Sequence, residues 1–224
     1  MYLILFIGIA IASYVVQASL NSKFKKYSRI TTDSGLTGAQ VAERMLREHG
    51  INNVTVTQIS GTLTDHYNPA TRTVNLSREV YYGNSVASAA VAAHECGHAL
   101  QHATGYSMLR LRSALVPVVS FSSQIMPWIL LAGILTITIF PALMLLGIIL
   151  FALTTLFSFV TLPVEINASR RAIGWLNSTG ITRGQNTYFA QDALKSAAYT
   201  YVVAALSSLA TLIYYVMIFM GRRD

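Results

Sequence analysis

The sequence predicts a mainly α, integral-membrane fold: about four transmembrane helices and a small α+β unit on one face of the bilayer. Three observations carry that expectation. Of 224 residues, 53% are hydrophobic and only 11% are charged, against roughly 25% charged in soluble chains. Several uncharged stretches exceed the about 20 residues needed to cross a hydrocarbon core. The basic residues, finally, collect in the segments between those stretches.

The elements follow in chain order. Residues 1–22 are uncharged, and Lys23, Lys25 and Lys26 come after the apolar run rather than before it. A secretory signal has the opposite layout, so 1–22 is expected to be a retained anchor and first crossing. Residues 23–112 read as the α+β part. Thr37 and Gln40 make a capping-box pair, Val41, Met45 and Leu46 recur at helical spacing, and Gly50 ends the helix. His49 sits where a C-terminal cap would, rather than a ligand. NVTVTQ (53–58) alternates as a strand does. Asp65-His66-Tyr67, the turn Asn68-Pro69 and TRTVNLS (71–77) predict a strand, a bend and a second strand, with TRTVNLS expected at the sheet edge. Asn84-Ser85 can cap a helix through SVASAAVAAHECGHALQH, whose small residues permit close packing.

Ser113 to Val164 is 52 residues without Asp, Glu, Lys, Arg or His. That suits two crossings, 113–139 and 141–164, turned at Phe140-Pro141. Residues 165–195 are polar again, and 196–221 form the fourth crossing. Segments 23–112 and 165–195 hold 14 of the 16 Lys and Arg, leaving Arg222 and Arg223 opposite. The positive-inside rule then places those segments in the cytoplasm and both termini outside. The net charge of +7 is thereby explained without nucleic acid. Cys96 is the single cysteine, so no intrachain disulfide exists. No repeat or linker divides the chain, and 1–224 is expected to be one functional domain on the lipid bilayer.

VAAHECGHALQH (91–102) carries the chemistry. Residues four apart share a helix face, so His94 and His98 can offer their imidazoles to one ion. Glu95 is then placed to take a proton from an attacking water and pass it to a leaving amine. Cys96 lies about 200° round the helix from His94 and is excluded as a ligand. His102 is about 12 Å along the axis from His94, too far to share the ion, and suits a supporting or surface role. A catalytic zinc site usually has three protein ligands. Glu165 is the candidate, because the apolar hairpin leaves one face near Arg112 and returns to it there. A bare carboxylate at a membrane boundary needs compensation: either Arg170 and Arg171 neutralise it, or a metal does, and the missing ligand favours the metal. His66 and Tyr67 are weaker candidates, as donors to a developing oxyanion or substrate contacts, or simply as residues that shape the bend. An extended peptide could pair with the sheet edge.

With GTLTDHYNPATRTVNLS (61–77), VAAHECGHALQH (91–102) and LPVEINASRRA (162–172), the chain resembles the neutral zinc metallopeptidases of the bacterial YugP type. More distantly it resembles the HtpX-like and CAAX prenyl protease-like membrane peptidases. The resemblance spans nearly the whole chain. It implies a zincin-like peptidase unit holding one Zn2+ through His94, His98 and Glu165, with Glu95 as base. It further implies a multi-pass protein of the bacterial plasma membrane that cleaves peptides or membrane proteins. The HtpX-like pattern runs Glu-x-x-Ala-Asp; here Glu165 and Ala168 match, while Ser169 stands at the Asp position. Serine can hydrogen-bond a ligand histidine but brings no charge.

Two alternatives compete. A site-2-type intramembrane protease would carry an Asp ligand in a Leu-Asp-Gly context, which Asp33, Asp65, Asp192 and Asp224 all lack. A non-catalytic zinc-binding scaffold or sensor would keep the ligands without turnover.

Overall fold

A computed structural model describes residues 2–221; Met1, Asp224 and the expected outer charges Arg222 and Arg223 lie outside the described residues. The chain is mainly helical, with one three-stranded sheet, and divides into two compact units.

One unit comprises Val15–Tyr106 and Val164–Tyr199. It begins within α1 (Tyr2–Tyr27), where Lys23 Nζ and Tyr27 Oη both donate to Asp192, at 2.8 and 2.7 Å. Helix α2 (Gly38–Glu48) starts at the Thr37–Gln40 capping box and ends at His49 as cap, with Gly50 at φ 70°. Its Val41, Ala42 and Met45 are fully buried, as an amphipathic stripe requires. The strands β1 (Thr55–Ile59), β2 (His66–Asn68) and β3 (Thr73–Ser77) are ordered β1-β3-β2, with β1 parallel and β2 antiparallel to β3. TRTVNLS is therefore the central strand, which corrects the expectation that it forms the edge. Val74 and Leu76 are fully buried, so the strand with the most covered apolar residues takes the middle. Local alternation fixes a strand and its hairpin mate but not the non-local parallel partner. Asp65 clips the hairpin by accepting from the Ser77 backbone N–H at 2.7 Å and the Ser77 hydroxyl at 3.2 Å. Burial pushes the Asp65 carboxyl above its ordinary value, against the pull of those two bonds.

A single turn, α3 (Arg78–Tyr82), precedes α4 (Val86–Ala103), which Ser85 caps by accepting from the Ser88 N–H. Most of α4 is buried, and its small residues let neighbours approach closely. At Gly97 an added Cβ would lie 2.6 Å from the Ala168 carbonyl oxygen on α6 (Pro141–Ser178). That backbone-to-backbone approach sets α6 directly against the motif.

The other unit holds Ser107–Pro163 and the outer parts of α1 and α7 (Gln185–Met220). Here α5 (Ser107–Leu135) turns back into α6, and a Cβ at Gly133 would meet the Met144 backbone at 2.7 Å. Leu130, Met144 and Ile148 form a small buried cluster, while Trp128, Leu135 and Ile139 are exposed, the pattern expected of helices whose outer solvent is lipid. Among the described residues, α5, α6 and α7 are long and apolar enough to cross a membrane; α1, the expected first crossing, is not among the three. The helices also outrun the uncharged stretches. α6 continues 14 residues past Val164 and stops only before Gly180, at φ 68°, where the Ile181 N–H bonds back to the Leu176 carbonyl. The charges mark where the uncharged run ends, whereas a glycine at positive φ marks where this helix ends.

Candidate metal centre

His94 and His98 lie one turn apart on α4, their rings 4.8 Å apart and nearly perpendicular. α6 brings Glu165 to them: Oε2 is 3.2 Å from His94 Nε2 and 3.5 Å from His98 Nε2. One donor atom from each of the three falls within 4.8 Å of the others. Two ligands bound to tetrahedral zinc at about 2.0–2.1 Å are themselves about 3.4 Å apart, so the two spacings from Glu165 to the imidazoles fit that ion. His98 and Glu165 are buried, His94 half-buried.

The far side of each ring supports the same use. Gln101, fully buried, donates its Nε2 to the Val164 carbonyl at 2.8 Å and the Asn167 Oδ1 at 3.0 Å. A carbonyl only accepts, so the amide nitrogen must face Val164 and Oε1 must face His98 Nδ1, 3.0 Å away. Nδ1 then carries the hydrogen and Nε2 of the neutral ring is a bare lone pair aimed at Glu165. Lone pair and carboxylate thus converge on one point, which calls for a cation. A proton on Nε2 can take that cation's place: burial opposes charge on His98, but the hydrogen bond it then donates to Glu165 and the fields of Glu95 and Glu165 hold its pKa above the ordinary value. On His94, Nδ1 meets the Ser169 hydroxyl at 3.0 Å, so serine supports this ring from the position where the related pattern has aspartate.

Glu95, buried on the same helix, is fixed by a main-chain donor: the Tyr67 N–H reaches its Oε2 at 2.9 Å. The Tyr67 hydroxyl bonds His102 Nδ1 at 2.8 Å, so His102 braces β2 and is not part of the three-ligand cluster. His66 is exposed, with its ring bonded to the Thr64 carbonyl at 2.8 Å and the Asn75 amide at 3.2 Å. Arg171 Nε donates to Asn167 Oδ1 at 2.9 Å, and Arg170 is exposed and borders a cavity with Arg171. Cys96 donates to the Ala42 carbonyl, and burial pushes its thiol well above the ordinary range.

Gln101 was open to sequence reasoning, since it lies three residues beyond His98 on the same helix face. The Tyr67 contribution was not, because every non-proline residue has an N–H and only the register says which one is used.

The description "Putative neutral zinc metallopeptidase" belongs to a family whose sequence profile matches residues 2–220. A Bacillus subtilis (strain 168) protein named "Putative membrane protease YugP" is 46% identical over 224 residues, covering 98% of this chain and 99% of that protein. No solved structure matches the chain.

Proposed function

The chain belongs to this family of neutral zinc metallopeptidases, and from that premise we propose that it is a membrane-embedded, zinc-dependent endopeptidase. His94, His98 and Glu165 would hold the ion. When bound, zinc supplies Lewis acidity, making water easier to deprotonate and a peptide carbonyl easier to attack. The protein does the rest. Glu95 accepts the proton of the attacking water and delivers it to the departing amine as the C–N bond breaks. The Tyr67 N–H holds that carboxylate still, and Ser169 and Gln101 fix the two rings.

The membrane part of the proposal adds α1 to α5, α6 and α7 as a fourth crossing, since residues 1–22 are uncharged and Ile4, Ile11 and Tyr14 are exposed. The site then works at the cytoplasmic face with both termini outside, supported by the 14 of 16 Lys and Arg in residues 23–112 and 165–195. The substrate class is peptide or membrane protein, with 1–224 acting as one domain.

The observation that carries the proposal is the convergence of two imidazoles and one carboxylate beside a tethered Glu95. Glu95→Gln separates a peptidase from a non-catalytic zinc scaffold. The variant is expected to keep one zinc by elemental analysis and to lose casein cleavage by at least a hundredfold. Unchanged cleavage would remove Glu95 from the chemistry.

A further inference from the structure

On the faces of α4 and α6 turned away from the ligands lies a cavity of about 550 Å3, bordered by His49, Ile51, Leu100, Arg170, Arg171 and Trp175. Leu100 sits about 200° round α4 from His98, and Arg170 about 140° round α6 from Glu165. The cavity therefore opens away from the metal-binding face and is no part of a cleavage cleft.

Its lining is cationic and aromatic, with no carboxylate. Among the described residues neither guanidinium is in a salt bridge. Arg171 is steadied by its Nε bond to Asn167, which leaves its terminal nitrogens for a ligand. The adjacent acid, Glu48, is engaged elsewhere: Arg44 Nε donates to Oε1 and Trp175 Nε1 to Oε2, each at 2.8 Å. The second bond also fixes the indole as an apolar wall. Two guanidiniums and apolar residues lining one cavity match a phosphate attached to a hydrocarbon chain, because the planar fork pairs with phosphate oxygens.

Along the chain, residues of this pocket adjoin the apolar helices. Thr104, on its rim, is three residues ahead of α5. Arg170 is six residues past Val164, the last residue of the uncharged run, about 9 Å along the helix axis. Headgroup layers extend about 5–7 Å beyond the hydrocarbon, within reach of an arginine side chain, and tryptophan favours that zone.

We infer that this cavity binds the phosphate headgroup of an anionic membrane lipid, Arg170 and Arg171 holding the phosphate while Trp175, Leu100 and Ile51 line the glycerol and first methylenes. The inference rests on the membrane placement proposed above but not on the peptidase chemistry.

The test uses the full chain in a neutral detergent, with Trp128→Phe so that Trp175 is the sole reporter. Dioleoylphosphatidylglycerol is titrated in, with dioleoylphosphatidylcholine and inorganic phosphate in parallel. The expected result is a saturable change in Trp175 emission with phosphatidylglycerol, at least tenfold weaker with either control. Arg170→Glu should weaken the response at least tenfold while bound zinc is retained; Arg170→Gln takes its place if zinc is lost. Equal responses to the two lipids, or an unaffected arginine variant, would overturn the inference. Inorganic phosphate matching phosphatidylglycerol would overturn the lipid as source. Cleavage is never read, so an inactive peptidase gives the same outcome.

Discussion

Gln101 has no solvent exposure, and both ends of its amide are engaged, by His98 on one side and by Val164 and Asn167 on the other. Gln101→Leu keeps the volume and removes all three contacts. It takes the side-chain donor from the Val164 carbonyl and frees His98 to adopt the other tautomer. Losing a buried partner of this kind costs about 1–3 kcal/mol, and losing the outer hydrogen bond of a ligand histidine costs about 10–100-fold in metal affinity. Both are measurable, by thermal unfolding of the apo protein and by chelator competition for zinc. Unchanged zinc affinity would show that the ring is oriented by packing alone. At this scale the sequence disclosed the ligand types and their spacing, because helical periodicity is local. Ser169 against His94, a contact between positions 75 residues apart, was legible only through the family resemblance, which put Ser169 at the supporting position.

At the scale of elements, the approach of α4 to α6 brings the third ligand within range. Gly97 permits it: a side chain there would collide with the Ala168 backbone, at 2.6 Å from its oxygen and 3.0 Å from its Cα. Neither atom can swing aside as a flexible side chain would. Gly97→Ala is therefore expected to push the helices apart and draw Glu165 back from the imidazoles. Its signature is at least a tenfold fall in zinc affinity, with helix content by circular dichroism unchanged, and an unaltered affinity would refute the close-packing account. Caps and turns were legible beforehand, as Thr37 with Gln40, Ser85 and Gly50 attest, since each is a short-range hydrogen-bonding device. The central place of β3 was not, because its parallel pairing with β1 joins residues 18 apart around an intervening strand.

At the scale of the whole molecule, the proposed orientation has a direct check that uses the protein's own cysteine as a silent background. Cys96 is wholly buried and its thiol is held in the protonated form by burial, so it should escape aqueous maleimide. Ser60 is exposed in the bend after β1. Ser60→Cys is therefore expected to resist an impermeant maleimide in intact cells and to react fully once the membrane is opened. Labelling of intact cells would invert the topology. Composition revealed the apolar helices readily, yet not their true lengths, because α6 runs on past Val164 through Gly174 to Ser178 and α7 already begins at Gln185, both in polar sequence. His94 and Glu165 stand 71 positions apart, with the entire uncharged run between them. That run must be synthesised before the three groups of the proposed site can meet. A chain cut short within that run would bear two imidazoles and no third ligand, so under the proposed function it would hold zinc weakly and cleave nothing.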